Sequence, residues 1–415
     1  MYHTSTQDRL LAVDGEWFEI MSSMNYKQAV MPIIWLNCIF CMGIFEIPKN
    51  RPQYFLSAVY IISVLTVYFI SFYKGIYILQ EIFIQELKIF YVVVGVNVLV
   101  AVWAIIMFWR YKSENINKII KRNGIADNTL EALGIKIDYQ KIYRSTRCLT
   151  AIWVVSVITL IFMHTLWMHR EEYWVVFYSN ISTSFPYILN SVVDLTFAAL
   201  VRCVGLRFQK INTLINNAVL YANESNAFKI YNRHDNTSIA FVMANYKNRK
   251  DKIMHHIQTL RHLHLEITRI GRQTNRTFCF QLLLELAVHF TIITSTTYCL
   301  HGAFFGQLRV TLDNGKIISM AMWACIYSFK IILVNSLCSS VSTEAYKTGE
   351  IIQSFEGSIM DDDMKEEIQQ FTQQIMLNSF HFTATGFFSI DNSLTGKFFT
   401  TVLKYVVILI QFNTK

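Results

Sequence analysis

Charge is what this chain lacks most. Only 16% of its 415 residues are Asp, Glu, Lys or Arg, against about a quarter in a soluble domain, while 53% are hydrophobic. So little charge cannot cover a water-facing surface, which excludes a large soluble enzyme or scaffold. Proline is scarce, with 4 residues, and glycine numbers 15, which excludes a loop-rich or low-complexity architecture. The first 26 residues hold no basic stretch leading into an apolar core, so no secretory signal peptide is expected. Eight cysteines are present, but metal-ligand spacing is not. Cys38 and Cys41 form a lone C-x-x-C without a second pair, so neither a metal nor a cofactor is expected and the thiols read as free and buried. The run His255, His256, His262 and His264 is spaced unlike a zinc site, has no clustered cysteines or acidic pair, and reads as a solvated basic face. No catalytic constellation is visible, and the chain is not expected to be an enzyme.

What the chain does have is apolar length. A bilayer core about 30 Å thick needs about 20 apolar helical residues. Eight stretches approach that length, roughly 29–48, 54–76, 87–109, 148–168, 178–206, 278–304, 316–340 and 394–412. Loop charge decides which of them cross, because short cytoplasmic loops are enriched in Lys and Arg. The 110–147 connection carries nine basic residues and 207–277 carries twelve. Residues 77–86 hold Glu81 and Glu86 and no base, 169–177 sets Arg170 against Glu171 and Glu172, and 305–315 has Arg309 as its one base. The first two connections are therefore expected inside and the other three outside. The net charge of +8 follows this loop pattern, so the expected partner is membrane lipid and not nucleic acid. Segment 29–48 contains Pro32, Pro48, Asn37 and Glu46, poor choices for a lipid-facing span, and reads as a helix lying along the inner membrane surface or tucked into the bundle. The expected fold is an all-α membrane protein with seven transmembrane helices, a cytoplasmic N-terminus and an extracellular C-terminus. That orientation is the reverse of a receptor signalling through G proteins, which is the alternative from another functional class.

The most distinctive residues lie near the C-terminus. Asp361-Asp362-Asp363 opens an amphipathic run through Glu366-Glu367-Ile368, Phe371 and Gln374-Ile375-Met376, with apolar positions 368, 371, 375 and 376 at helical spacing. Phe380-His381-Phe382-Thr383-Ala384-Thr385-Gly386-Phe387-Phe388-Ser389-Ile390-Asp391 follows, and the last apolar stretch ends Lys404-Tyr405-Val406-Val407-Ile408-Leu409-Ile410-Gln411-Phe412. This succession resembles the insect gustatory receptor family, seven-helix chemoreceptor ion channels related to the odorant receptors. The motifs cover roughly residues 340–412, and Lys404 stands where the family usually has Thr.

The resemblance implies a gustatory chemoreceptor acting as a ligand-gated non-selective cation channel in the plasma membrane of a sensory neuron. Its subunits would form homo- or hetero-tetramers with other gustatory receptor subunits. It further implies an N-terminal segment 1–53 with a membrane-associated helix, a ligand-binding region 54–340, a cytoplasmic anchor helix and connector 341–393, and a pore-lining helix with tail 394–415. On that reading Gln411, Phe412, Ile408, Lys404 and Tyr405 are the pore and gate candidates, with Lys404 two turns below Gln411 on one stripe. A small organic tastant would meet Trp167, His164, Tyr178, Phe185, Tyr187, Thr294, Tyr298, Trp323 and Tyr327, which lie at the depth of an outward-facing pocket. Aromatics with few amides and carboxylates suit a bitter or other non-sugar compound, a sugar-sensing member being the alternative. Asp194, Glu285 and Lys330 are charges inside predicted spans and are expected to pair with one another. Asn180, in Asn180-Ile181-Ser182, is the glycosylation candidate on the predicted outer side.

Overall fold

The computed structural model describes residues 25–45, 52–82, 88–167, 173–232, 239–305, 314–354 and 362–413. Helices make up nearly all of them, and the chain divides into two compact units. Six described helices are long and apolar enough to cross a membrane, at Tyr54–Gly75, Tyr139–Leu166, Val176–Ala218, Asp251–Phe304, Ile317–Gln353 and Asn392–Phe412, and Val94–Met107 is a shorter apolar one. Sequence expectations on Glu46, Pro48, Glu86, Arg170, Glu171, Glu172, Arg309 and Asp361 fall outside the described residues, and Glu81 lies in a described helix with its side chain outside the described ones.

The first unit takes residues up to Phe69 together with Ile105–Phe162. It begins with α1 (Tyr26–Ala29) and α2 (Met31–Ile39), where Pro32 sits in the first turn, a place that needs no amide hydrogen. Cys41 has a φ of 62° and ends the run. The 9 residues of α2 rise about 13 Å, less than half a bilayer core, so this part of 29–48 does not span. Instead Tyr60 in α3 (Tyr54–Ile82) donates its hydroxyl to Ile39 O at 2.7 Å, and Phe40 sets its edge on Trp153, 5.7 Å between centroids. After α4 (Lys88–Met107), a π turn at Phe108–Lys112 leads into α5 (Ser113–Ala132) and then α6 (Tyr139–Trp167). Ile119, Asn123, Ala126 and Leu130 of α5 recur at i, i+4, i+7 and i+11 and are all buried, while Tyr139 donates to Asp127 Oδ2 at 2.9 Å. The basic 110–147 connection is therefore largely amphipathic helix.

The second unit takes Ile70–Ala104 and everything from Met163 onward. Its long helices are α7 (Tyr173–Asn232), α8 (Ile239–Phe304) and α9 (Asn314–Gln353). The 60 and 66 residues of α7 and α8 rise about 90 and 100 Å, three times a bilayer core. The stretch 207–277, read from sequence as a connecting loop, is thus helix on both sides of residues 233–238. α7 lies at the centre, with Val193, Phe197, Val201, Val204, Phe208 and Ile211 all buried against α8 and α9. Gly205 permits the close approach to α9, since a Cβ there would stand 2.7 Å from Val341 Cγ2. Asn212 donates to Glu344 Oε2 at 3.1 Å and accepts from Thr348 Oγ1 at 2.7 Å, pinning the same two helices further along. α9 runs unbroken through residue 340, where the sequence reading places a domain boundary.

The connector motif has a clear structural cause. α10 (Asp362–Leu377) buries Met364, Glu367, Ile368, Phe371 and Ile375, while Met376, expected on that face, is 66% exposed. Glu367 takes the buried place and pairs with Arg261 Nε at 2.6 Å. A two-strand hairpin follows, β1 (Thr383–Ala384) against β2 (Phe388–Ser389), turning at Thr385 and Gly386 with φ of 51° and 80°. Phe380, Phe382, Ala384 and Ile390 point inward, and Phe382 meets Phe197 edge-on at 5.9 Å. Asp391 Oδ1 then accepts the Leu394 N–H at 2.9 Å and starts α11 (Asn392–Asn413).

The histidine run divides. His255, His256 and His262 are exposed, but His264 is buried between Phe208 and Phe371, so the solvated-face reading fails at that position. The cysteines divide too: all eight are free, with 38, 41, 203 and 338 buried, whereas Cys148 and Cys325 are exposed on helix surfaces.

Candidate functional site

Three helices of the second unit bring the intramembrane charges together. Asp194 comes from α7, Glu285 from α8 and Lys330 from α9. Lys330 Nζ lies 2.5 Å from Asp194 Oδ2, and Gln281 Nε2 donates to Glu285 Oε1 at 3.0 Å. The Asp194 and Glu285 carboxyls also touch one another. Gln281, Glu285 and His289 recur every four residues on one face of α8, so the helix aims all three the same way. Ligating atoms of Asp194, Glu285 and His289, all buried, lie within 4.8 Å of one another, the one such His/Cys/Asp/Glu group among the described residues. A cavity of about 20 Å³, large enough for a single water, is lined by these three together with Lys330, Asn335 and Ile390.

An aromatic cluster continues from the charges. Tyr187 meets Trp323 edge-on at 5.3 Å and Tyr327 at 5.6 Å, and Trp323 stacks on Tyr327 at 5.8 Å. Lys330 Nζ sits 5.3 Å from the Tyr187 centroid and 6.0 Å from that of Tyr327, and the His289 ring lies 5.1 Å from Tyr327. Asn97 donates to the Tyr327 hydroxyl at 3.1 Å and accepts from Asn190 Nδ2 at 3.0 Å. Of the pocket candidates the structure therefore joins Tyr187, Trp323 and Tyr327. His164 and Tyr178 belong to a different set, His164 Nε2 being 3.4 Å from Ser179 Oγ and Tyr178 stacking on Trp174 under Lys74. Thr294 is buried, Phe185 and Tyr298 are half-buried, and the Trp167 side chain lies outside the described ones. Asn180 lies within α7 and donates its amide to Thr165 Oγ1 at 3.1 Å.

The last helix has two unlike faces. Phe398, Val402 and Val406 are buried at i, i+4 and i+8, and Phe290 packs edge-on against both Phe398 and Tyr405. Lys404 is turned about 200° from Val402 and is exposed, as are Ile408 and Phe412 on the same side. At its foot, buried Asn335 of α9 donates to Thr395 Oγ1 at 2.9 Å, tying the helix to the wall of the charged cavity. His289, Gln281, Asn97, Asn335 and Thr395 were not singled out by sequence. The signal that could have found the first two is the polar stripe 281, 285, 289 in an otherwise apolar span.

Comparison with known proteins bears on the chain as a whole. The sequence profile of the 7tm chemosensory receptor family matches residues 8–415. Gustatory receptor 28b of Drosophila melanogaster is 22% identical over 317 residues, covering 73% of this chain and 65% of the relative. Two further relatives from that organism match shorter stretches. The gustatory receptor for sugar taste 43a is 25% identical over 31% of this chain and 30% of its own length. The gustatory receptor for bitter taste 66a is 26% identical over 39% of this chain and 31% of its own length. The chain thus spans about two thirds of one relative and a third of the others. Among solved structures, the insect olfactory receptor OR5 from Machilis hrabei superposes with a TM-score of 0.64 at 12% identity, covering 91% of this chain and 96% of that one.

Proposed function

The chain belongs to the 7tm chemosensory receptor family, and from that premise we propose that it is a taste receptor of a sensory neuron's plasma membrane that opens a non-selective cation pathway when a small organic tastant binds. The reading places the N-terminus inside the cell and the last helix, α11, along the pathway, with Ile408, Gln411 and Phe412 toward its outer end. Lys404 is the observation that carries it. It points away from its own chain on a helix long and apolar enough to cross a membrane. Facing lipid there would cost about 2.5–3.5 kcal/mol on insertion scales. The open face of α11 therefore suits a water-filled pathway or a neighbouring subunit, which supports a multimer with other gustatory receptor subunits.

The tastant we infer is bitter or otherwise not a sugar. Relatives named for sugar taste and for bitter taste match to a similar degree, so pocket chemistry carries this choice. The amides that could bind sugar hydroxyls, Asn97 and Asn190, hydrogen-bond to each other and to Tyr327, and what remains is an aromatic wall. The olfactory receptor from Machilis hrabei has been solved in complex with eugenol, a small aromatic ligand of that chemistry. The test is to express the chain with and without candidate partner subunits and record currents against a tastant panel. Currents evoked by apolar aromatic compounds, lost on Trp323→Ala at unchanged surface expression, are expected. A surface-expressed protein that responds through G proteins without passing current would sink the reading.

A further inference from the structure

We propose that Asp194, Glu285 and His289 form a binding site for one small monovalent cation, with sodium as the ion of suitable size, shared with the tethered ammonium of Lys330. The inference concerns a site within a single subunit and does not depend on the chain conducting ions.

Three observations carry it. The first is charge balance. Two carboxyl groups meet one ammonium among largely buried side chains, which leaves one negative charge over when both carboxyls are ionised. Uncompensated charge is strongly disfavoured in such a place. A divalent ion would overshoot to a net positive charge beside Lys330, whereas a monovalent ion closes the balance to zero. The second is an unmet acceptor. Glu285 is 2% exposed, and among the described residues no donor reaches its Oε2. Its contact with Asp194 sets acceptor against acceptor, a place that a cation or a proton must fill. The third is room. A cavity of about 20 Å³ lies against these oxygens, lined by His289 and Asn335 as well, and holds one ion or water and nothing larger.

Placement gives the site a consequence. Ile390, the last inward residue of the hairpin, and Asn335, bonded to Thr395 at the foot of α11, are part of the same wall. An ion there draws α7, α8 and α9 together beneath the last helix. The bound state is the more rigid one, and the ion acts as a structural ligand of the segment that α11 stands on.

The full-length chain, purified in detergent, is heated in sodium chloride and in N-methyl-D-glucamine chloride at equal ionic strength and fixed pH. A saturable rise of a few degrees in Tm with sodium is expected, because a ligand bound only by the folded state stabilises it by mass action. Glu285→Gln removes the surplus charge and should abolish the sodium dependence. Lys330→Gln removes the competing ammonium and should lower the half-saturating sodium concentration severalfold. Identical melting in the two salts overturns the proposal. So does a Tm that, when the melts are repeated at several pH values, moves with pH and not with sodium, which would mean that the carboxyls share a proton. Sodium dependence retained in Glu285→Gln marks a bulk salt effect and overturns it as well. If Glu285→Gln does not fold, the wild-type titration and Lys330→Gln still decide.

Discussion

Lys404 sets the first expectation at the residue scale. If the open face of α11 borders a cation pathway, a lysine from each subunit repels the permeant ion. Lys404→Thr should then raise cation current severalfold when the chain is expressed alone. Equal currents at matched surface expression would remove the lysine from the pathway. A second expectation concerns Cys41, 1% exposed, whose thiol is pushed up by burial to about 11. Only about one thiol in a thousand is then thiolate at pH 8, and thiolate is the reactive form. Maleimide should label the exposed Cys148, at the edge of its apolar stretch, and leave Cys41 unmodified until the chain is denatured. Fast labelling of Cys41 in native protein would show that its cover opens. Asp194, Glu285 and Lys330 were legible in the sequence because a charge inside a span is costly and demands a partner. Their meeting with His289 was not legible, since a lone histidine on an apolar face looks like any core residue until three helices are in register.

At the scale of elements, the spans were legible and the helices were not. Hydropathy reports the part of a helix that suits a membrane, so it ends at 206 where α7 runs on to Asn232, and it begins at 278 where α8 starts at Ile239. The extensions hide as connections because their apolar residues form a stripe, as at 119, 126 and 130 of α5, and not a run. The hairpin before α11 explains its motif by packing. Gly271 of α8 lies under the Phe380 ring, where a Cβ would stand 2.5 Å from Cζ. Gly271→Val should displace Phe380 and destabilise the fold by about 1–3 kcal/mol, the usual range for overpacking. Gly124 offers the control, since nothing lies within 4 Å of a Cβ there. Gly124→Ala, in the interior of α5, should stabilise by about 0.4–1 kcal/mol. Thermal melts of the two variants check both; a Gly271→Val that melts with wild type would show that the Phe380 ring yields freely.

At the scale of the whole molecule, sidedness is the property still to be measured, and parity makes it decisive. Six long apolar helices and the shorter Val94–Met107 give seven crossings if each spans once. An odd number puts the termini on opposite sides. The basic stretches 110–147 and 207–277 choose which, since flanks rich in Lys and Arg stay in the cytoplasm. An epitope at the N-terminus should therefore be reached by antibody only after permeabilisation, and one at the C-terminus on intact cells. The reverse pattern would match a receptor that signals through G proteins and would also remove the outward end of α11 on which the gate assignment of Gln411 and Phe412 rests. An N-terminus and C-terminus both shielded would mean that Val94–Met107, whose apolar part is 14 residues long, does not cross. That last outcome would keep the family, which the tail at 340–412 made legible, while changing which face of the charged cluster looks outward.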